Sequence, residues 1–351
     1  MDPKIQKILQ RGVVIPAMPL ALTTAKKLDE RRQRGLCRYY FAAGAGGLAV
    51  GVHTTQFAIR EPKVGLYEPV LALAAEEFAR ADRGRIEPLV RVAGVVGGTG
   101  QAVAEAELAR GMGYHAGLLS LAAMKHASDA ELIAHCNAVA SVIPVVGFYL
   151  QPAVGGRVLS YAFWREFAQI RNVVAIKMAP FNRYQTIDVV RAVAEAGRSD
   201  IALYTGNDDN IVMDLVTPYH FGVGTRTAER RIVGGLLGQW AVWTRKAVEL
   251  LEFCHAAAQK DELPAVLLRL NVQMTDANAV IFDAAHGFHG CIPGIHEVLR
   301  RQGLLENLVT LDDRETLSPG QGDEIERVCR AYPHLNDDAF VAKHRDEWLR
   351  G

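Results

Sequence analysis

The chain has 351 residues, half of them hydrophobic, and its 39 basic and 39 acidic side chains balance. Half-apolar composition excludes an intrinsically disordered chain, and zero net charge leaves no overall field to attract nucleic acid or an anionic membrane. The five cysteines contain no Cys-x-x-Cys pair, the N-terminus lacks a continuous apolar segment of the signal-peptide type, and no apolar stretch is long enough to span a bilayer. We therefore expect a cytoplasmic protein with neither nucleic acid nor membrane as a partner.

Short apolar segments alternate with longer segments of helical spacing along the chain. Strands are predicted at 13–17, 48–52, 89–94, 117–121, 144–149, 173–177, 201–205 and 221–224. Eight such strands, each followed by a helix, favour a closed (β/α)8 TIM barrel over an open doubly wound sheet. Beyond residue 225 the pattern predicts only helices, chiefly 228–259, 264–284 and 292–301. The expected fold is α/β, with a barrel over 1–226 and a C-terminal helical extension over 227–351.

One lysine ends an apolar strand, in the segment Asn172-Val-Val-Ala-Ile-Lys177. Chemistry in TIM barrels occurs at the C-terminal ends of the strands. An inward ammonium there would be desolvated, which favours the neutral amine that Schiff-base formation requires. A lysine that reaches the rim, or that faces the outer helices, is the alternative.

Hydroxyl groups end two other predicted strands. Tyr149 ends the strand before the lysine, where a phenol could relay protons, although a structural tyrosine is the alternative. Thr54 and Thr55 follow the second strand beside His53, and their hydroxyl and N–H groups suit a carboxylate. The alternative for these threonines is a helix cap or a turn.

The order of these segments resembles the dihydrodipicolinate synthase/N-acetylneuraminate lyase superfamily of class I aldolases. The segment from Ala45 to Thr55 resembles its second-strand region, and Tyr149-Leu-Gln-Pro152 resembles its Tyr-Asn-x-Pro motif. Val173-Val-Ala-Ile-Lys177 resembles the strand that carries its Schiff-base lysine, and Gly206-Asn-Asp208 resembles its Gly-Asp pattern after strand seven. The resemblance covers roughly residues 12–300.

The resemblance implies a homo-oligomer, a dimer or tetramer, that acts on pyruvate or another 2-keto acid without a metal or other cofactor. It implies that Lys177 is the nucleophile and that Tyr149, coupled to Thr55, relays protons. Thr54 and Thr55 would then hold the keto-acid carboxylate. The remaining contacts to substrate are expected from His53, Gly206 and Asn207.

Departures from the family pattern argue against dihydrodipicolinate synthase itself. Gln56 stands where the family has Gly-Glu, and His53 replaces a glycine. The arginine with which the synthases hold a substrate carboxylate appears as Val154, with Arg157 nearby, and the 118–125 loop lacks the tyrosine exchanged across their dimer. These departures leave the imine chemistry intact and leave the second substrate open, together with the choice between cleavage, condensation and dehydration.

Two other functions remain open. The segment 222–227 follows the predicted eighth strand, so its Thr225 and Arg226 could bind a phosphorylated substrate. The chain could also bind a keto acid without catalysis. Metal binding is not expected, because the spacing of His286, His289 and His296 matches no zinc signature.

Overall fold

The computed structural model describes residues 1–223 and 226–350. Its strands are β1 (Val14–Pro16), β2 (Gly47–Val50), β3 (Val90–Val95), β4 (Ala116–Leu119), β5 (Val145–Leu150), β6 (Val173–Ala179), β7 (Ala202–Thr205), β8 (Tyr219–Val223), β9 (Arg226–Arg230) and β10 (Ile232–Leu237). Its helices are α1 (Pro3–Arg11), α2 (Glu30–Ala43), α3 (Tyr67–Asp82), α4 (Thr99–Gly111), α5 (Asp129–Ala140), α6 (Tyr161–Phe167), α7 (Arg183–Glu195), α8 (Ile211–Val216), α9 (Thr244–Ala257), α10 (Val266–Ile281), α11 (Cys291–Arg301), α12 (Gln321–Ala331) and α13 (Asp338–Trp348).

Eight of the strands form one parallel sheet in the order β1-β10-β7-β6-β5-β4-β3-β2. The sheet closes on itself through a parallel bridge between Ala17 and Ala49, where the Met18 N–H donates to the Ala49 carbonyl oxygen at 2.9 Å. Helices surround this barrel, and further helices follow at the C-terminus. The predicted TIM barrel with a C-terminal helical extension is confirmed.

The strands are apolar on both faces because the barrel separates two cores. The inner core fills the barrel and includes Phe148 and Leu150 of β5, and α1 closes its N-terminal end with Ile5, Ile8 and Leu9. The outer core packs the other faces of the strands against the helices. The phase of each strand therefore decides which side chains reach the barrel interior.

The prediction of the eighth strand is wrong. Residues Tyr219–Val223 pair with Arg226–Arg230 in an antiparallel hairpin outside the barrel, and β10 takes the eighth position. The segment 228–259 was predicted as helix, but its first part forms β9 and β10 and the helix begins only at Thr244. Gly234 and Gly235 weaken the strand pattern of β10, yet close packing requires them: a Cβ on Gly234 would lie 2.7 Å from the Val13 carbonyl oxygen. The division of the chain at residue 226 stays a prediction, although the last barrel strand follows it.

The residues beyond 300, for which the sequence suggested no role, dock against α2. Tyr39 donates to the buried Asp337 carboxylate at 2.8 Å, and its ring packs against Trp348 with 5.5 Å between centroids. The preceding segment crosses the loops at the C-terminal end of the barrel, where the Leu311 N–H donates to Gln56 Oε1 at 2.6 Å. No described helix combines the length and the apolar character that crossing a membrane would require.

Candidate active site

A pocket lies at the C-terminal end of the barrel, and its empty volume is about 610 Å³ when the open solvent at its mouth is included. Strand ends, the loops after them and the C-terminal helical layer all contribute to it. Its lining consists of Ala17, Val52, His53, Thr54, Phe148, Leu150, Gln151, Val154, Lys177, Ala179, Phe181, Gly206, Asp208, Gly238, Phe282, Phe288 and Cys291. The pocket therefore occupies the place where TIM-barrel enzymes carry their chemistry.

A β-bulge in β6 turns Lys177 into this pocket. Val145 pairs with Val173, but Val146 pairs with Ala175, so the register shifts by one residue at Val174. Val174 and Ala175 consequently both belong to the inner core. Strict alternation from Val173, which belongs to the outer core, would have turned Lys177 toward the helices. The bulge therefore excludes the alternative in which the lysine faces outward.

The Lys177 amine lies in apolar surroundings. Its Nζ is 4.5 Å from the centroid of the Phe148 ring, and the side chain is 8% exposed. Within the described residues it forms no ion pair shorter than 4 Å. Burial lowers the pKa of Lys177, and the Asp208 carboxyl offsets part of that effect. The neutral form of the amine is therefore much more populated at a given pH here than it is in water.

Asp208 lines the pocket, although the sequence predicted that its neighbour Asn207 would contact the substrate. Burial raises the pKa of the Asp208 carboxyl, although Lys177 lowers it and the Gln239 N–H donates to Oδ1 at 3.3 Å. Burial therefore shifts the lysine and the aspartate in opposite directions, and both shifts favour the uncharged forms. A neutral amine and a protonated carboxyl are a nucleophile and a general acid in one pocket.

His53 and the two threonines lie at the end of β2 in a short helical turn, His53–Thr55. Burial and the neighbouring Lys177 lower the pKa of His53 to about 4, so its imidazole is neutral at pH 7. The Thr54 hydroxyl donates to the Ala17 carbonyl at 2.8 Å, and the Thr55 hydroxyl donates to the Met18 carbonyl at 2.7 Å. Since both hydroxyl protons are engaged, a carboxylate would need main-chain N–H groups of this turn or another donor.

Thr55 also lies outside the pocket lining. Its Oγ1 accepts the N–H groups of Gly51 and Val52 at 3.0 and 3.2 Å and donates to Met18, and the residue is fully buried. Every hydrogen-bonding position of this hydroxyl is filled. The expected coupling of Thr55 to Tyr149 is therefore wrong.

The expectation that Tyr149 faces the lysine is also wrong. In the register of β5 and β6, Phe148 pairs with Lys177 and Tyr149 pairs with Met178. Tyr149 belongs to the outer core, where its ring lies 5.4 Å from Trp164. Its hydroxyl donates to the Leu159 carbonyl at 3.2 Å and accepts the Leu159 N–H at 3.1 Å. Because strand side chains alternate, the neighbouring phenylalanine occupies the position expected for the tyrosine.

Gly206 lines the pocket and leaves room for the lysine. A Cβ on Gly206 would lie 2.6 Å from Lys177 Cε. Asn207, in contrast, is fully buried beside the pocket and does not line it. Its Nδ2 donates to Asp214 at 2.9 Å, and its Oδ1 accepts the Phe181 N–H at 3.1 Å. The expected contact of Asn207 with substrate is therefore wrong, because its amide is used to hold two loops.

Several pocket residues were not found from the sequence. Phe282, Phe288 and Cys291 come from the C-terminal helical layer, about a hundred residues after Lys177, and no local pattern marks them. Gln151, next to Pro152, belongs to a segment that sequence analysis did mark. Its buried Oε1 has no hydrogen-bond partner in the described part of the chain, so this oxygen is available to accept a hydrogen bond from a ligand.

The other residues considered from the sequence lie elsewhere. Arg157 donates to the Met124 and Ala127 carbonyls at 2.7 and 2.9 Å and does not line the pocket, whereas Val154 does. His286 pairs with Asp283 at 2.6 Å, and burial lowers the pKa of His296 to about 4. Across residues 1–223 and 226–350, no three His, Cys, Asp or Glu side chains are grouped as metal ligands. Thr225 and the side chain of Arg226 lie outside the described residues.

The sequence profile of the dihydrodipicolinate synthetase family matches residues 10–224. The chain belongs to this family. The family consists of lyases, and the match includes Lys177 and all strands from β1 to β7. No curated protein sequence matches the chain significantly.

Solved structures share the fold at low sequence identity. Dihydrodipicolinate synthase from Aquifex aeolicus is 17% identical, with a TM-score of 0.73 over 93% of this chain and 99% of that one. N-acetylneuraminate lyase from Fusobacterium nucleatum is 14% identical, with a TM-score of 0.71 over 92% and 99%. A prophage protein of the same family from E. coli K12, solved in complex with pyruvate, is 16% identical, with a TM-score of 0.72 over 91% and 98%. These values fit a divergent member of the family.

Proposed function

We propose that this protein is a class I lyase that forms a Schiff base between Lys177 and a 2-keto acid. The observation that carries the proposal is a buried amine without an ion-pair partner within 4 Å in the described chain, directed into the pocket of a family of lyases. Pyruvate is the simplest candidate, since a family member from E. coli was solved in complex with it. A homo-oligomer and a cytoplasmic location remain part of the proposal.

The first steps use Lys177 and Asp208. The neutral amine attacks the keto carbon, a C–N bond forms, and the former carbonyl oxygen takes a proton to give a carbinolamine. The protonated Asp208 carboxyl donates a proton to that hydroxyl group, which leaves as water. The product is a protonated imine, beside an Asp208 carboxylate that stabilises its positive charge.

The imine then accepts electrons from the adjacent bond. In the cleavage direction, the bond between the third and fourth carbons breaks and its electron pair forms an enamine. The proton of the C4 hydroxyl passes to the Asp208 carboxylate, and an aldehyde leaves. Protonation of the enamine and hydrolysis by water regenerate Lys177 and release the keto acid. Condensation is the reverse of this sequence, and dehydration starts from the same imine.

The keto-acid carboxylate needs hydrogen-bond donors that are free. The threonine hydroxyls are engaged, and the Thr55 N–H donates to the Val52 carbonyl at 3.0 Å, so we assign this contact to the main-chain N–H groups of His53 and Thr54. Among the described residues of the lining, Lys177 is the only strongly basic side chain. This speaks against a phosphorylated substrate, which requires a more cationic site.

Reductive trapping tests the proposal. Pyruvate with borohydride is expected to add one reduced pyruvyl group per chain, located on Lys177 by peptide mass spectrometry. Lys177→Ala should remove this label, whereas Lys125→Ala, at an exposed lysine, should not. Absence of an adduct with pyruvate and with a panel of 2-keto acids, or equal labelling of Lys177→Ala, would overturn the proposal.

A further inference from the structure

Most of the described side chains that line the pocket beyond Lys177 are apolar. Two of these are phenylalanines held in unusual backbone conformations: Phe181 has φ +52° and Phe288 has φ +70°. Bulky residues rarely adopt the left-handed region, and such strain persists only where the surrounding structure enforces it. The two rings meet edge to face, with 5.7 Å between centroids and 69° between planes.

Buried polar groups hold both phenylalanines in place. The Phe181 N–H donates to Oδ1 of the fully buried Asn207 at 3.1 Å. The Phe288 N–H donates to the carbonyl oxygen of Asp283 at 3.0 Å, and the Asp283 carboxylate accepts the Gly290 N–H and the Ser318 hydroxyl at 2.9 and 2.6 Å. The aromatic pair is therefore a fixed wall of the pocket. This also gives Asn207 a role, since it positions Phe181.

The described lining of the pocket offers no cationic side chain that could bind the outer part of a substrate. Among its described lining residues none is an arginine, and Lys177 is consumed by imine formation. His53 lies in the short helical turn at the end of β2, and its imidazole contacts the Phe57 ring edge to face, with 5.8 Å between centroids. A carboxylate or phosphate on the outer half of a substrate would be desolvated here without a partner. A chain of several hydroxyls would likewise lose hydrogen bonds to water.

We propose that the outer half of the substrate is an uncharged aryl group, which packs against Phe181 and Phe288. This inference rests on the proposed Schiff-base function and extends it. The reaction is then the reversible cleavage of a 4-aryl-4-hydroxy-2-keto acid to pyruvate and an aromatic aldehyde. The C3–C4 bond breaks, its electron pair enters the imine, and the proton of the C4 hydroxyl leaves through Asp208. Offset and edge-to-face contacts with fixed rings favour a flat group over a polar chain of similar size.

The experiment compares three keto acids by borohydride trapping on the full-length chain. The probes are pyruvate, 4-hydroxy-2-oxo-4-phenylbutanoate, and 4-hydroxy-2-oxoglutarate, in which a carboxylate replaces the phenyl group. Intact mass gives the labelled fraction at each concentration, whether or not the probe is cleaved first. The concentration that gives half-maximal labelling is expected to be at least about tenfold lower for the phenyl compound than for the dicarboxylate.

Two sets of variants test the origin of the preference. Val154→Arg places a guanidinium in the pocket lining and should shift the preference toward the dicarboxylate by about tenfold. Val158→Arg adds the same group to the same loop at an exposed position and should leave the preference unchanged. Phe181→Leu and Phe288→Leu keep an apolar wall but remove the rings, and each should reduce the phenyl preference several-fold.

The outcomes separate the two proposals. An adduct with pyruvate but equal or reversed labelling by the phenyl and dicarboxylate probes would overturn the aryl assignment and leave the Schiff-base function standing. A phenyl preference that survives both leucine variants would also overturn it. No adduct with any of the three keto acids would overturn both proposals.

Discussion

Lys177 and Asp208 show how burial prepares two groups for one reaction. In water an amine and a carboxyl are both charged at pH 7. In the pocket, burial lowers the pKa of Lys177 and raises that of Asp208, while their mutual attraction opposes both shifts. Because these two effects oppose each other, a neutral amine beside a protonated carboxyl can form near neutral pH. The reaction needs this pair of neutral groups. Burying two ionisable groups does not stabilise the folded protein, so the pair is explained by function rather than by stability.

Asp208→Asn tests the assigned proton transfer. An amide cannot act as a general acid, so we expect the rate of pyruvate trapping to fall about a hundredfold. The sign of the pH effect also follows: the carboxylate raises the pKa of Lys177, so its removal lowers that pKa further. The acid limb of the pH–rate profile should therefore move to lower pH. The measurement is the trapping rate from pH 5 to pH 9.

The neighbouring Asp209→Asn provides the control. Asp209 is exposed and does not line the pocket, so the rate should resemble that of the wild-type protein. Its charge contributes to the raised pKa of Asp208, so the profile should move, but much less than in Asp208→Asn. An unchanged profile for Asp208→Asn would show that Asp208 takes no part in imine formation.

Gly206→Ala tests whether the pocket needs the space beside the lysine. The added Cβ would lie 2.6 Å from Lys177 Cε and 2.9 Å from the Ala179 Cβ, so the lysine must move. Because a small displacement of a reacting group is costly, we expect trapping to slow by about tenfold or more. Gly98→Ala is the matched control, since nothing lies within 4 Å of its Cβ position. Equal trapping rates for the two variants would contradict this interpretation.

The phase of individual strands decides which residues form the site. The sequence predicts a strand over residues 173–177 that ends at Lys177, and the structure has this strand but extends it to Ala179. The bulge at Val174 could not be predicted, because it arises from the pairing with β5. The same pairing places Phe148 beside the lysine and turns Tyr149 outward. A shift of one residue moves a side chain to the other face, and the sequence of one strand does not specify it.

Tyr149→Phe separates the two positions experimentally. If Tyr149 only bonds to Leu159, the variant should trap pyruvate within about twofold of the wild-type rate. Its free energy of unfolding should fall by about 1–2 kcal/mol, because the buried N–H and carbonyl of Leu159 lose a partner. Tyr184→Phe, at a residue that is 83% exposed, should change neither quantity. A large loss of trapping at unchanged stability would instead make Tyr149 the proton carrier.

At the scale of the whole molecule, the C-terminal helical layer contributes both to the pocket and to the packing around the barrel. Phe282 and Phe288 complete the pocket, and α13 docks against α2. Arg38 ties the end of the chain by donating to the Trp348 carbonyl at 2.9 Å. The residues beyond 300 therefore have a structural role in the outer layer, remote in sequence from the strand that carries Lys177.

Trp348→Ala tests that role. The indole is buried against Tyr39 and Phe340, so its removal should lower the free energy of unfolding by about 3 kcal/mol. Chemical denaturation gives this value, and the trapping rate of the folded protein should be unchanged. Glu347→Ala, at a side chain that is 75% exposed, is the control. Equal stability of the two variants would show that α13 contributes little to the folded state.

The sequence by itself determined the fold class, seven of the eight barrel strands and the strand that carries Lys177, because buried parallel strands leave a strong local apolar pattern. Only the tertiary structure decided the eighth strand, since Gly234 and Gly235 weaken its apolar pattern. Glycine is needed there because Val13 packs on Gly234 and Trp240 packs on Gly235. The tertiary structure also decided that Phe148 and Asp208, rather than Tyr149 and Asn207, face the pocket. Strand register and packing between distant segments fix these choices, and both depend on neighbours that local sequence does not reveal.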